Sequence, residues 1–325
     1  MRFVTFILAR LMPIWIVFFA LWGIYNPGIF KDWNTATTPA LGFVLFIMGV
    51  TIDRKRLSNL VKHPNKPLLG SLGKWVIGPF ISFFIGFLFF GFSELFYGIM
   101  MAGIVPSGTS ANLNSLIGKG DLNLSVTMSA VDTLVGPILT PILAKFFLGS
   151  NIHFDYFSFL LKMIEVVFLP LIFGVVFQSI IPTCNRIIKP YASIICALCL
   201  YVVVIGVSSN ASHLLLENTS ILGTLFLCVC LQIILQMSLG YIYAKFIRLS
   251  ESECRSILFE VGICNTALAT VLTNVTFGPL AALASMANMI SNLTIGSFVA
   301  FVLGSIPYSN NGIQTFSKPK EKVNS

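Results

Sequence analysis

The sequence predicts an all-α integral membrane protein of ten transmembrane helices, arranged as two inverted five-helix repeats, with helices four and nine unwound where they cross. Three observations predict it. Of 325 residues, 56% are hydrophobic and 10% charged, with a mean hydropathy of +0.90, outside the range of soluble domains. Apolar runs long enough to span hydrocarbon recur about every 20 to 25 residues. Two of these runs are broken by polar residues, "VPSGTSANLNSLIGKGD" from Val105 and "FEVGICNTALATVLTNV" from Phe259.

The first run, Phe3 to Tyr25, is too long for a signal-peptide core and lacks a small-residue cleavage site, so it reads as a retained span. The others follow at 37–52, 67–91, 94–117, 123–148, 156–182, 188–208, 219–246, 252–275 and 277–306. The largest connection, "DRKRLSNLVKHPNKP", reads as a basic amphipathic loop. The C-terminal "NGIQTFSKPKEKVNS" reads as a disordered tail.

The breaks fall in spans four and nine, the fourth of each half. Opened backbone survives at bilayer depth only where it lines a cavity or binds ions, so matched breaks point to a transporter site. Five spans per half is an odd number, which inserts the second half upside down and brings the two breaks together near the midplane.

A net charge of +8 invites a nucleic-acid reading, but its placement argues otherwise. With both termini cytoplasmic, that side carries Arg2, Arg54, Lys55, Arg56, Lys62, Lys66, Lys119, Arg186, Lys189, Arg248, Arg255, Lys318, Lys320 and Lys322, whereas the opposite loops offer little beyond Lys31. The positive-inside rule accounts for the basic composition with the lipid bilayer as the partner and no nucleic acid. The lack of a transit-peptide pattern points to a bacterial inner membrane.

Seven Cys, among them Cys196, Cys199 and Cys264, fall mostly within spans and read as packing thiols. His63, His153 and His213 lie in loops or at span ends, which leaves no HExxH and no support for a metalloprotease. "GKGD" at Gly118 to Asp121 matches the GxGD of aspartyl intramembrane proteases, yet that chemistry needs two carboxylates at bilayer depth, and span four supplies no second Asp. The protein is expected not to be an enzyme, with an intramembrane protease kept as a remote alternative.

A charge at the bilayer centre costs about 2.5 to 3.5 kcal/mol on insertion scales, so each one needs a reason. Three stand out: Lys74 in "GSLGKWVIGPFISFF", Asp132 in "SVTMSAVDTLVGPILTP" and Glu260 in span nine. Glu260 lies where sodium or a proton is a natural partner, the alternative being a salt bridge to another helix. Lys74 faces the bundle or snorkels to the cytoplasmic surface. Ser125, Ser129 and Asp132 share one helical face, where hydroxyls line an ion path or back-bond to their own helix. Lys162 and Glu165, at i and i+3, are expected to pair with each other.

The segments "PSGTSANLNSLIGKGDLNLSVTMSAVDTLVGPILTP" and "FEVGICNTAL" resemble the signature segments of the bile acid/sodium symporter family, and span order and spacing agree from about residue 10 to 305. The resemblance implies a panel domain (spans 1–2 within 1–66, spans 6–7 within 151–210), a core domain (spans 3–5 within 67–150, spans 8–10 within 211–308) and a tail at 309–325. It implies secondary active transport of a small or amphipathic organic anion by alternating access, the substrate being bile-acid-like, pantothenate-like or a keto-acid carboxylate.

Two sodium sites are implied. The first maps onto Ala111, Asn112, Ser125, Ser129 and Glu260, with Ala111 where the family has Ser. Asn112 and Asn265 match the crossover asparagines that face the substrate carboxylate beside helix N-termini carrying Thr109, Ser110 and Thr266, and Asn292 matches a further polar position by the cavity. The second site departs: Lys74 and Cys264 replace its two Gln ligands, and Asp132 stands where the family has Ser. An ammonium at position 74 sits where the second cation belongs, so that site is expected not to bind sodium. Lys74, Asp132 and Glu260 then form a triad. Coupling is to at most one sodium, or, in an alternative, to a proton released by Lys74. A channel or sensor that lost coupling is a third reading.

Overall fold

The computed structural model describes residues 12–51, 64–149, 155–181, 183–217 and 219–306. The basic stretch before Pro64, the first eleven residues and the tail, with the loop and tail charges assigned to them, lie outside the described residues.

Among the described residues every element is helical: α1 Met12–Tyr25, α2 Asn34–Thr51, α3 Asn65–Phe90, α4 Glu94–Ile104, α5 Thr109–Ile117, α6 Leu122–Leu148, α7 Tyr156–Ile180, α8 Ala192–Asn210, α9 Thr219–Phe246, α10 Glu251–Gly262, α11 Thr266–Phe277 and α12 Pro279–Ser305. By length and composition six of these can cross a membrane: α2, α3, α6, α7, α9 and α12. Helices α1, α4, α8 and α11 are apolar but shorter. Chains this apolar form helices because lipid leaves every N–H and C=O to find its partner within the segment.

Close packing comes from small residues. A Cβ on Gly49 of α2 would lie 2.3 Å from the Leu171 carbonyl, and one on Gly174 of α7 would lie 2.2 Å from the Phe46 carbonyl. The two backbones therefore touch, as small residues allow in membrane bundles. Helix α2 also packs on α8, which packs on α1. Across the molecule Gly78 of α3 meets Gly103 of α4 in the same way, with 2.8 Å left between an added Cβ and the Gly103 carbonyl. Helix α9 packs on α3, α10 and α12.

Polar contacts finish the ends. Asp121 caps α6, accepting from the N–H groups of Asn123 and Leu124. The acid of the GxGD match is thus a helix cap at the start of α6. Ser250 and Glu253 form a capping box at the start of α10. Buried Arg255 donates to the carbonyls of Gly118 at 3.0 Å and Leu303 at 2.7 Å, and to Glu251 at 3.1 Å. It thereby ties the final turns of α5 and α12 to α10, a favourable place for a cation.

One expected pair does not form. Lys162 donates to the carbonyl of Val275, 2.9 Å away at the end of α11, and no ion pair joins it to Glu165. The residues Ile164–Phe168 form a π turn inside α7. Its wider winding takes the i, i+3 spacing out of register, and the carbonyl across the helix contact is the nearer acceptor. Asn274, one residue earlier, donates to Asn34 of α2 at 2.9 Å.

Candidate functional site

Both interrupted runs break where the sequence changes character. Between α4 and α5 the chain is extended from Val105 to Gly108, with Pro106 unable to donate a helical hydrogen bond. Between α10 and α11 the break covers Ile263 to Asn265. The two extended pieces lie antiparallel. Ser107 and Cys264 form an isolated bridge, Gly108 donates its N–H to the Ile263 carbonyl at 3.2 Å, and Asn265 donates to the Pro106 carbonyl at 2.8 Å. A Cβ on Gly108 would sit 2.6 Å from the Cys264 carbonyl, so only glycine permits this approach. Thr109 and Ser110 do not belong to the break: they begin α5.

Around the crossing, Asn112, Ser125, Ser129 and Glu260 come together. Ser125 and Ser129, one turn apart on α6, lie 2.5 Å and 3.0 Å from the two carboxylate oxygens of Glu260. The amide of Asn112 accepts from Ser125 at 2.9 Å and donates to Ser129 at 3.1 Å. Both ends of Asn112 are thus engaged by the serines, each with one further donor or acceptor position left. Glu260 and Ser125 are fully buried.

Proton counting exposes a shortage. Ser125 has one hydroxyl proton but two acceptors in range, Glu260 Oε1 and Asn112 Oδ1. Whichever it serves, the other oxygen faces lone pairs. A cation among these oxygens, or a proton on Glu260, removes the conflict, and an amide, two hydroxyls and a carboxylate are hard ligands of the kind an alkali ion takes. The donor set therefore fits sodium.

One turn along α6, Asp132 is fully buried. It accepts from the indole N–H of Trp75 at 3.0 Å and from Ser107, in the α4–α5 break, at 2.9 Å. Lys74, 1% exposed on α3, places its ammonium 5.8 Å from the Trp75 ring centroid. The snorkelling alternative is excluded by that burial. Cys264 donates its thiol to Asn288 at 3.5 Å.

Behind Cys264 lies a polar cluster that sequence reasoning missed. Asn288 donates to Gln232 at 3.2 Å; Gln232 donates to Ser82 at 2.6 Å and to the Ile99 carbonyl at 3.1 Å; Gln236 donates to Ser82 and to the Gly78 carbonyl, both at 3.0 Å. The signal was present in "CLQIILQMS", two Gln one turn apart in an apolar helix.

The remaining predicted residues scatter. Asn265 caps α11 through Leu268 N–H at 3.2 Å. Thr266 is buried as the first residue of α11, whereas Thr109 is exposed and Ser110 half-buried at the start of α5, which no side chain caps. Asn292 is buried on α12, donating to the Gly262 carbonyl at 3.2 Å, with its Oδ1 unpartnered. That bond places it beside the end of α10, next to the break. An apolar cavity of about 340 Å³ lies elsewhere, between α1, α9 and α12, lined among others by Leu21, Phe226, Met286 and Ile290.

The family model described as the Sodium Bile acid symporter family matches residues 38–218, more than half of the chain. Among curated relatives, the chain is 28% identical over 291 residues to the uncharacterized sodium-dependent transporter YocS of Bacillus subtilis, covering 88% of each chain. It is 27% identical to the probable sodium/metabolite cotransporter BASS1, chloroplastic, of Arabidopsis thaliana, over 92% of this chain and 74% of that one. With the human ileal sodium/bile acid cotransporter it shares 25% identity over 76% of this chain and 71% of the other.

Proposed function

The chain belongs to the sodium bile acid symporter family, a family of membrane transporters and not of enzymes, and from that premise we propose that it carries a small or amphipathic organic anion by alternating access with at most one coupled sodium. The observation that carries this reading is the cluster of Asn112, Ser125, Ser129 and Glu260 at the crossing, short of one proton and suited to one cation.

In this reading the chain forms ten spans in two inverted repeats, α4–α5 and α10–α11 being the discontinuous fourth and ninth, with both termini on the cytoplasmic side of a cell membrane. Helices α1, α2, α7 and α8 form a panel, and the rest form the core that rocks against it. The contacts of Lys162 and Asn34 with the last turn of α11 join panel to core at one end. The substrate carboxylate docks near the uncapped N-terminus of α5, at Thr109 and Ser110, where free N–H groups and the helix dipole favour an anion. Asn265 borders that position. The ammonium of Lys74 replaces a second sodium, since Lys74 and Cys264 offer no oxygen ligand.

The test is uptake into proteoliposomes under an inward sodium gradient, with pyruvate, pantothenate and taurocholate as carboxylate probes. Uptake that needs sodium with a Hill coefficient near one supports the reading. Uptake driven by a proton gradient and indifferent to sodium replaces it with proton coupling, and the absence of flux for every carboxylate tried overturns it.

A further inference from the structure

The buried lysine poses a problem that the site must solve. An ammonium within the same crossing as Glu260 is a competitor for that carboxylate, and a Lys–Glu pair there would discharge the group that sodium needs. Among the described residues no ion pair joins the two. Glu260 spends both oxygens on Ser125 and Ser129. Lys74 lies on the face of the Trp75 ring, and the N–H edge of that ring is fastened to Asp132.

We propose that Asp132 is a positioning residue for ion coupling: a dedicated counter-charge that holds Lys74 away from Glu260 and so keeps Glu260 available to sodium. The inference rests on the reading that the Asn112–Ser125–Ser129–Glu260 cluster takes sodium.

Three features support it. The indole N–H can only donate, so Asp132 Oδ1 must accept, and Ser107 completes the carboxylate on its other oxygen. Asp132 thus faces two donors fixed in α3 and in the break. Its placement three residues beyond Ser129 on α6 puts it beside, and not within, the sodium cluster. Ser107 donates to Asp132 at 2.9 Å and reaches Ser129 at 3.5 Å, so it stands between the acid and the cluster. Finally, the charges balance. With all three groups charged, Lys74 and Asp132 sum to zero and Glu260 keeps a demand for one cation. A lone ammonium would cancel Glu260 itself, and the demand would fall to zero.

The inference separates Asp132 from a merely structural acid by the sign of a double substitution. Binding of ²²Na⁺ to the purified full chain is measured by scintillation proximity. The wild type is expected to bind one ion. Asp132→Asn frees Lys74 to pair with Glu260 and lowers sodium affinity by about tenfold or more. Lys74→Gln with Asp132→Asn removes competitor and counter-charge together and restores affinity to within about threefold of the wild type. If Asp132→Asn binds sodium as well as the wild type, or the double variant stays as weak as the single one, the inference is overturned. If the single variant does not fold, the double variant decides alone, because recovered folding and sodium binding require that Asp132 mattered only through Lys74. A wild type that binds no sodium overturns the sodium reading beneath it.

Discussion

Ser125 and Glu260, 135 positions apart in the chain, bring their side-chain oxygens to 2.5 Å of each other beside the crossing of two interrupted helices. Ser125 also reaches Asn112, so one hydroxyl serves both the amide and the acid. Ser125→Ala removes a ligand from both and is expected to lower sodium affinity roughly tenfold while leaving the fold in place. Glu260→Gln removes the charge and is expected to abolish sodium-dependent thermal stabilisation altogether, as read by melting temperature against sodium concentration.

Arg255 is buried with three acceptors, two of them final carbonyls of helices, whereas the Lys66–Glu253 pair has its lysine 59% exposed. Arg255→Met is expected to destabilise the protein by about 3 kcal/mol or more, because Glu251 and two carbonyls lose their donor. Lys66→Met is expected to cost under about 1 kcal/mol. Denaturation of the two variants side by side measures the difference.

Glu251 is partly desolvated, which raises its pKa, but bonds from Lys245, Tyr241 and Arg255 outweigh that and hold it below the ordinary 4.5. A lowered carboxylate stabilises the folded state above its unfolded pKa and loses that contribution as pH falls through the folded value. The melting temperature is therefore expected to decline below about pH 4.5, and Glu251→Gln is expected to flatten that part of the curve.

At Gly49 an added methyl meets the Leu171 carbonyl and the backbone of Gly174. Gly49→Ala is expected to force α2 and α7 apart at a cost of about 1–3 kcal/mol, read as a lower melting temperature.

The last turn of α11 is gripped from α2 by Asn34 and from α7 by Lys162. Lys162→Met combined with Asn274→Ala is expected to raise amide hydrogen exchange in residues 272–277, and to leave exchange in α9 unchanged.

Both breaks were legible in the sequence, because proline, glycine and asparagine cannot hide in an apolar run. The gathering of Ser125 and Ser129 on one face followed from helical spacing alone. Partners across helices were not legible. Nothing in the spacing of Lys162 indicated a carbonyl of α11, and the π turn that misaligns Glu165 has no residue signature. Trp75 reads as an ordinary apolar residue, yet its N–H holds Asp132. Ser107, Gln232 and Gln236 were visible as polar residues, but their roles depend on which helices lie beside them. Asn112 was assigned to both the ion and the substrate, and the structure shows one bond accepted from Ser125 and one donated to Ser129, which brings it to the ion cluster.

The crossing itself is fastened by main-chain groups: Asn265 to Pro106, Gly108 to Ile263, and the bridge of Ser107 with Cys264. Such bonds use atoms that nearly every amino acid carries. The frame is thus indifferent to what projects from position 264, and a thiol can stand there without loosening it. At that position the frame and what it presents are separately editable, and heritable change can swap the side chain at 264 without first having to reinvent the fold.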